Sequence, residues 1–228
     1  MIFFIYRRIP LQLLLHALHT ACRSPLSRDQ TTVNMAILTY YFLMRPGEYC
    51  GLPSPLLNTC SLFRLQDIQM WIGARCLTIL TCPIADIEHA TFATLTFTNQ
   101  KNGVRGEVIG HDLSGHLYAC PVHALARRLV HLRKAQASPL TPLNAYHLHQ
   151  SWKYVTAQHI TDALRTSATA LGPTLGFLPL DVSARSLRAG GAMALLCAFV
   201  DSEMPLQTGK VRTVPVKNCI DPLRKITN

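Results

Sequence analysis

Apolar residues recur along this chain at two spacings, and each change of spacing marks a boundary. From Asp29 to Met44 the apolar positions Val33, Ala36, Ile37, Tyr40, Tyr41 and Met44 follow a helical period. A polar start at Asp29 and the Pro46-Gly47 break bound a helix with one broad apolar face. Upstream, Pro10 to Thr20 reads as a short helix opened by proline in its first turn. After a turn-rich stretch at 52–61, the segments FRLQDIQMWIG and RCLTIL read as two strands with Gly73 at the turn.

Strict alternation appears from Thr91 to Thr98, where Phe, Leu and Phe oppose Thr and Ala. The turn KNGVRG and a return over Glu107–Gly110 complete a hairpin, with Asn102-Gly103 as its turn signal. CPVHALARRLVHLRKA then reads as a basic amphipathic helix beginning at Pro121. Residues 137–152 read as a proline-containing linker. Thr156 is placed to cap a helix that ends at Gly172. A last helix, opened by Asp181 or Ser183, runs to Val200, and the remainder is aperiodic. These elements predict an α+β fold: a mostly helical core with a small antiparallel sheet or hairpin. The predicted organisation is a helical remnant at 1–27, a core at 28–200 and an irregular tail at 201–228.

Composition narrows the chemistry. With 49% hydrophobic and only 15% charged residues, the 228-residue chain has ample material for a core. Its formal net charge of +10 favours a polyanionic partner, nucleic acid before an acidic membrane surface. The apolar run at the N-terminus is interrupted by Arg7-Arg8 and diluted by Gln12, His16 and His19, so no membrane span is expected. Eight cysteines include no C-x-x-C pair, and the ten histidines form no ligand motif. Neither a metal nor a cofactor is expected, and reduced thiols suit an intracellular protein, nuclear or cytoplasmic.

The segment YYFLMRPGEYCG carries a puzzle, because an apolar helix delivers Arg45 and, three residues on, Glu48. Burying a charge without a partner is costly, so the two should meet each other or a ligand. A lysine, Lys101, lies on the hairpin turn in FTNQKNGVRG, with Arg105 as a competing cation. A further arginine, Arg188, lies near the start of the last helix in ARSLRAGGA, three residues after Arg185. Each has a plainer alternative: a helix-end ion pair, a solvated turn lysine, a solvated basic helix face.

Taken in order and in context, LMRPGE, the hairpin lysine and ARSLRAGGA resemble the catalytic domain of tyrosine recombinases, the phage-integrase-like family, and more closely the recombinase-like reading frames of eukaryotic mobile elements. The resemblance covers about Thr31 to Val200. It implies that Arg45 and Arg188 bind the nonbridging oxygens of a DNA phosphodiester, since planar guanidinium forks match phosphate and stay protonated. It implies that Lys101 acts as general acid toward the departing sugar oxygen and that Glu48 holds Arg45 in place. Arg185 occupies a position where the family usually has histidine, and arginine cannot serve as proton donor and acceptor near neutral pH.

The family also needs a nucleophilic tyrosine after its second arginine. No tyrosine, histidine or tryptophan follows Arg188 here, and all seven tyrosines precede Arg165. The expectation is therefore a truncated recombinase core that binds double-stranded DNA with catalysis impaired, for which a homo-oligomer on DNA is compatible. Arg105, Arg127, Arg128, Arg133, Lys134 and Arg185 are the expected DNA contacts. A non-catalytic interaction or structural domain, or a degraded element remnant, is the alternative.

Overall fold

One helix is buried on every side, and the other elements are arranged around it. The computed structural model describes residues 9–24, 27–50, 62–97, 106–116, 118–200 and 212–213. Of these, α1 spans Leu11–Cys22 and α2 spans Ser27–Phe42. From Thr31 to Phe42 every residue of α2 is buried. This corrects the expected single apolar face: α1, the hairpin strands' neighbour α5 (Pro121–Lys134), α6 (Ala157–Leu175) and α7 (Ala184–Val200) all pack on α2. Complete burial forces each polar side chain of α2 to find an internal partner. Thr39 bonds back to Met35 O at 2.7 Å, and the Tyr41 hydroxyl donates to Ala119 O at 2.8 Å.

The C-terminus of α2 is a left-handed stop made without glycine. Leu43 has φ +53°, and the Met44 N–H reaches back to Thr39 O at 3.2 Å. This is a Schellman-type closure, in which the left-handed residue costs more than glycine would. The chain then extends through Arg45 and re-enters a single helical turn, α3 (Pro46–Tyr49), with proline at its first position.

The sheet follows the expected hairpins with shorter strands. β1 (Ile68–Ile72) pairs antiparallel with β2 (Arg75–Cys76) and with β3 (Phe92–Phe97), and β3 pairs antiparallel with β4 (Glu107–Asp112). Thr94 faces Gly110 and Leu95 faces Ile109 across the β3–β4 ladder. The strand expected over RCLTIL ends at Cys76, and a short helix, α4 (Ile84–Glu88), fills the gap before β3. The turn carrying Lys101 and Arg105 lies outside the described residues. Residues 137–152, read as a linker, contain a second hairpin, β5 (Ala145–Leu148) with β6 (Ser151–Tyr154). Its tight turn places His149 and Gln150 at positive φ, where the sequence carries no glycine to announce it. In the tail, β7 (Arg212–Thr213) adds in parallel to the free edge of β4.

Two helix ends show how local chemistry sets boundaries. The Thr156 hydroxyl accepts from the His159 N–H at 3.4 Å, the expected cap of α6. At the other end α6 runs past Gly172 through Pro173 and stops at Gly176, which is left-handed at φ +72°. A β-carbon at Gly172 would collide with Phe177 O, so that glycine serves close packing and Gly176 serves as the stop. Among the described residues no helix is long and apolar enough to cross a membrane.

His111 of β4 is the titratable group most exposed to the consequences of this packing. Its ring lies edge-on to Tyr41 and Phe42, and Nε2 donates to Tyr41 O at 3.1 Å, which leaves Nδ1 unprotonated, buried and without a hydrogen-bond partner. Burial lowers its pKa to about 4, partly opposed by the bond to Tyr41. The unfolded chain therefore takes up a proton at His111 near pH 6.5 that the folded state refuses until about pH 4. Stability present above pH 6.5 is lost as pH falls through this window, by roughly 3 kcal/mol in full. Urea unfolding between about pH 7 and 5 should show that decline, with the ring protons of His111 still reporting the neutral form in the folded protein. A flat profile with His111 titrating near its ordinary value would contradict it.

Candidate nucleic-acid interface

The turn after α2 presents Arg45, and three features fix it there. Arg45 is the N-cap of α3, and its backbone N–H donates to Glu48 Oε2 at 2.7 Å. Its side-chain Nη1 donates to Glu48 Oε1 at 3.2 Å. Glu48 is buried at 4% exposure, while the Arg45 side chain keeps 35% of its surface open. Glu48 thus spends one oxygen on the helix start and the other on the guanidinium. The carboxylate acts as a hinge pin, and the arginine's remaining donors face outward. The same local device recurs at Arg64 and Asp67, where the Arg64 N–H donates to Asp67 Oδ2 at 2.8 Å. An acid three residues after an arginine at a turn is therefore a capping signal in this chain, whatever else it does.

Two contacts bring α7 to this turn. The Tyr49 hydroxyl of α3 donates to Ala184 O at the start of α7, 3.3 Å away. At the other contact, α7 approaches α2 so closely that a β-carbon on Gly191 would collide with Tyr40 O. The Gly190-Gly191 pair is thus a close-approach device. Arg188, one turn earlier, is carried to the side of Arg45 and Glu48. Partial burial is the main cause that lowers its pKa; the Arg45 charge acts in the same direction and the Glu48 charge opposes it. Two arginines far apart in sequence therefore share one electrostatic neighbourhood around a buried glutamate. Arg185 is exposed one turn before Arg188 on the same helix.

The expected DNA face on α5 is different from its sequence reading. Arg128 is 1% exposed. Its Nε donates to Leu143 O at 2.9 Å, Nη1 to Thr31 Oγ1 at 2.7 Å and Nη2 to Ala145 O. Burial pushes its pKa down to about 9. The expectation that Arg128 contacts DNA is corrected: its guanidinium ties α5 to α2 and to the strand of the second hairpin. Arg127 donates through Nε to Asn34 Oδ1 at 2.8 Å and through Nη2 to Tyr118 O at 3.3 Å, and Arg133 donates to Cys82 O at 2.6 Å. Both spend donors on internal acceptors. Lys134 is exposed at the end of α5. The period of α5 put its arginines on a polar face, but the missing information was the polar content of buried α2. Thr31 and Asn34 in an otherwise apolar helix were the signal that could have exposed it.

Tyr154, in β6, has no contact with the Arg45 turn among the hydrogen bonds and ring contacts described. Among the described residues no group of three or more His, Cys, Asp or Glu side chains is positioned to hold a metal ion. No family model, curated protein or solved structure matches this chain.

The contrast between Arg45 and Arg128 is measurable. Arg128→Ala strands two buried carbonyls and the Thr31 hydroxyl and opens a void, so it should destabilise the fold by at least about 3 kcal/mol. Arg45→Ala leaves the buried Glu48 carboxylate without its ion-pair partner, but Glu48 keeps its bond to the residue 45 N–H and half of the pair is part-exposed, so the loss should be smaller, about 1–2 kcal/mol. Thermal or urea melts of the two variants check this, and equal losses would contradict the assignment of Arg128 to the core and Arg45 to the surface.

Proposed function

We propose that this chain is a duplex-DNA-binding domain built on a tyrosine-recombinase-like core, with Arg45 and Arg188 holding one backbone phosphate and Arg185 and Lys134 adding outer contacts. One observation carries the reading: Arg45 and Arg188, separated by most of the chain, converge beside a buried Glu48 that orients one of them. Like charges repel, and neither ion-pair nor hydrogen-bond partners for Arg188 are found among the described residues. Such a pair is favoured when an anion bridges it, and a phosphodiester oxygen pair fits two guanidinium forks. Lys101, on the hairpin turn, remains assigned to the leaving oxygen by resemblance alone.

Binding, not strand cleavage, is the activity proposed. Arg185, at the position where the family usually has histidine, cannot shuttle a proton. Two arginines suffice to hold a phosphodiester, and binding asks no more of them. An intracellular setting goes with this function. The burial of Arg128, with donors of half-buried Arg127 and Arg133 engaged inside the protein, favours the second reading, a non-catalytic interaction domain that keeps the fold without DNA.

Duplex-DNA affinity measured across a salt series separates the two. The DNA reading predicts a linear fall of log affinity with log salt. Arg45→Ala and Arg188→Ala should each weaken binding about tenfold or more, with the protein still folded. No binding at low salt, or binding indifferent to both substitutions, would support the interaction-domain reading instead.

A further inference from the structure

Arg127 lies in a cavity, not on a DNA-facing surface. The cavity holds about 720 Å³ between α1, α2 and α5. That volume is within the range of small-molecule sites, which combine apolar walls with a few placed polar groups. Leu18 of α1, Val33 of α2 and Val130 of α5 supply apolar wall, and Arg127, Lys134 and Asn34 supply polar wall.

The charge balance inside is uneven. Arg127 is half-buried, and that burial lowers its pKa, with Cys22 and Cys120 opposing. It has no carboxylate partner among the described residues: its bonds go to a neutral amide oxygen and a backbone carbonyl, and they use Nε and Nη2. Nη1 is left without an acceptor. Ser27 also lines the cavity, and its hydroxyl oxygen is buried with no hydrogen-bond partner. Arg128 and Lys134 are the other cations that line it, and Glu88 is the single acidic lining residue, exposed on α4. A half-buried guanidinium with a spare donor, in a space large enough for a ligand and lined by three cations to one acid, is an unfinished polar site.

We propose that this cavity binds a small organic anion, with its carboxylate or phosphate group on Arg127 and Lys134 and its apolar body against Leu18, Val33 and Val130. The anion offsets the desolvation of Arg127, and the apolar walls exclude water from the contact. Asn34 holds Nε so that the free edge of the guanidinium faces the cavity. The site is separate from the Arg45–Arg188 pair and does not depend on DNA binding.

The test uses the intact chain and the aromatic sulfonate 8-anilinonaphthalene-1-sulfonate as fluorescent probe. Saturable binding is expected, with displacement by decanoate or decyl phosphate and not by decanol; whichever of the two anions displaces better identifies the headgroup. Arg127→Gln should weaken probe binding about tenfold or more. Gln30→Trp, which places a bulky ring at the exposed rim with Arg127 intact, should weaken it similarly without altering the melting curve, and so decides the matter if Arg127→Gln fails to fold. Arg45→Ala should leave probe binding unchanged. Equal probe affinity in the wild type and Gln30→Trp, or displacement by decanol as effective as by decyl phosphate, would overturn the assignment.

Discussion

The guanidinium of Arg128 meets a helix that has no solvent side. Because α2 is buried all round from Thr31 to Phe42, its polar groups must be satisfied from within the protein. α5 supplies that satisfaction: Arg128 takes Thr31 and two carbonyls around the second hairpin, and Arg127 takes Asn34. A fully buried cation is costly unless every donor is used, and here its neutral acceptors are numerous enough to hold it. This one network joins α2, α5 and the 143–145 segment, so the helical core and the second hairpin cannot move independently.

What happens at the end of α2 follows from the same constraint. A helix with no free face cannot drift outward to end, so it stops sharply at left-handed Leu43 and turns the chain into Arg45. Glu48 then anchors that arginine from below. Glycine lets α7 lie against the backbone of α2, and Tyr49 fastens its start at Ala184. The proximity of Arg45 and Arg188 is therefore a consequence of core packing. Their repulsion is offset by the Glu48 charge, which acts on Arg188 in the opposite sense to Arg45.

The sequence made much of this legible. The helical period over 29–44, the alternating hairpin strands and the Thr156 cap correspond to described elements, because each is set by local chemistry, whereas α2 stops at left-handed Leu43 and Pro46-Gly47, read as its break, opens α3. That Arg45 and Glu48 would meet was one of two alternatives left open by the cost of burying their charges, the other being a ligand. The second hairpin was not, because its turn uses His149 and Gln150 at positive φ in place of Asn-Gly. The roles of the α5 arginines were not either. Helical period places Arg127 and Arg128 on a face but cannot say that the facing helix carries Thr31 and Asn34, or that Arg127 borders a cavity. Those are tertiary facts, decided by what lies opposite.

The central claim is that one pair of arginines, Arg45 and Arg188, is set aside for an external anion while Arg128 is consumed by the core. Arginine side-chain NMR spectra, recorded as a short DNA duplex is titrated into the protein, test it directly. The account predicts that the Nε–H signals of Arg45 and Arg188 move together and saturate at one DNA concentration, while that of Arg128 stays fixed. Saturable DNA binding with Arg45 and Arg188 unmoved would contradict it.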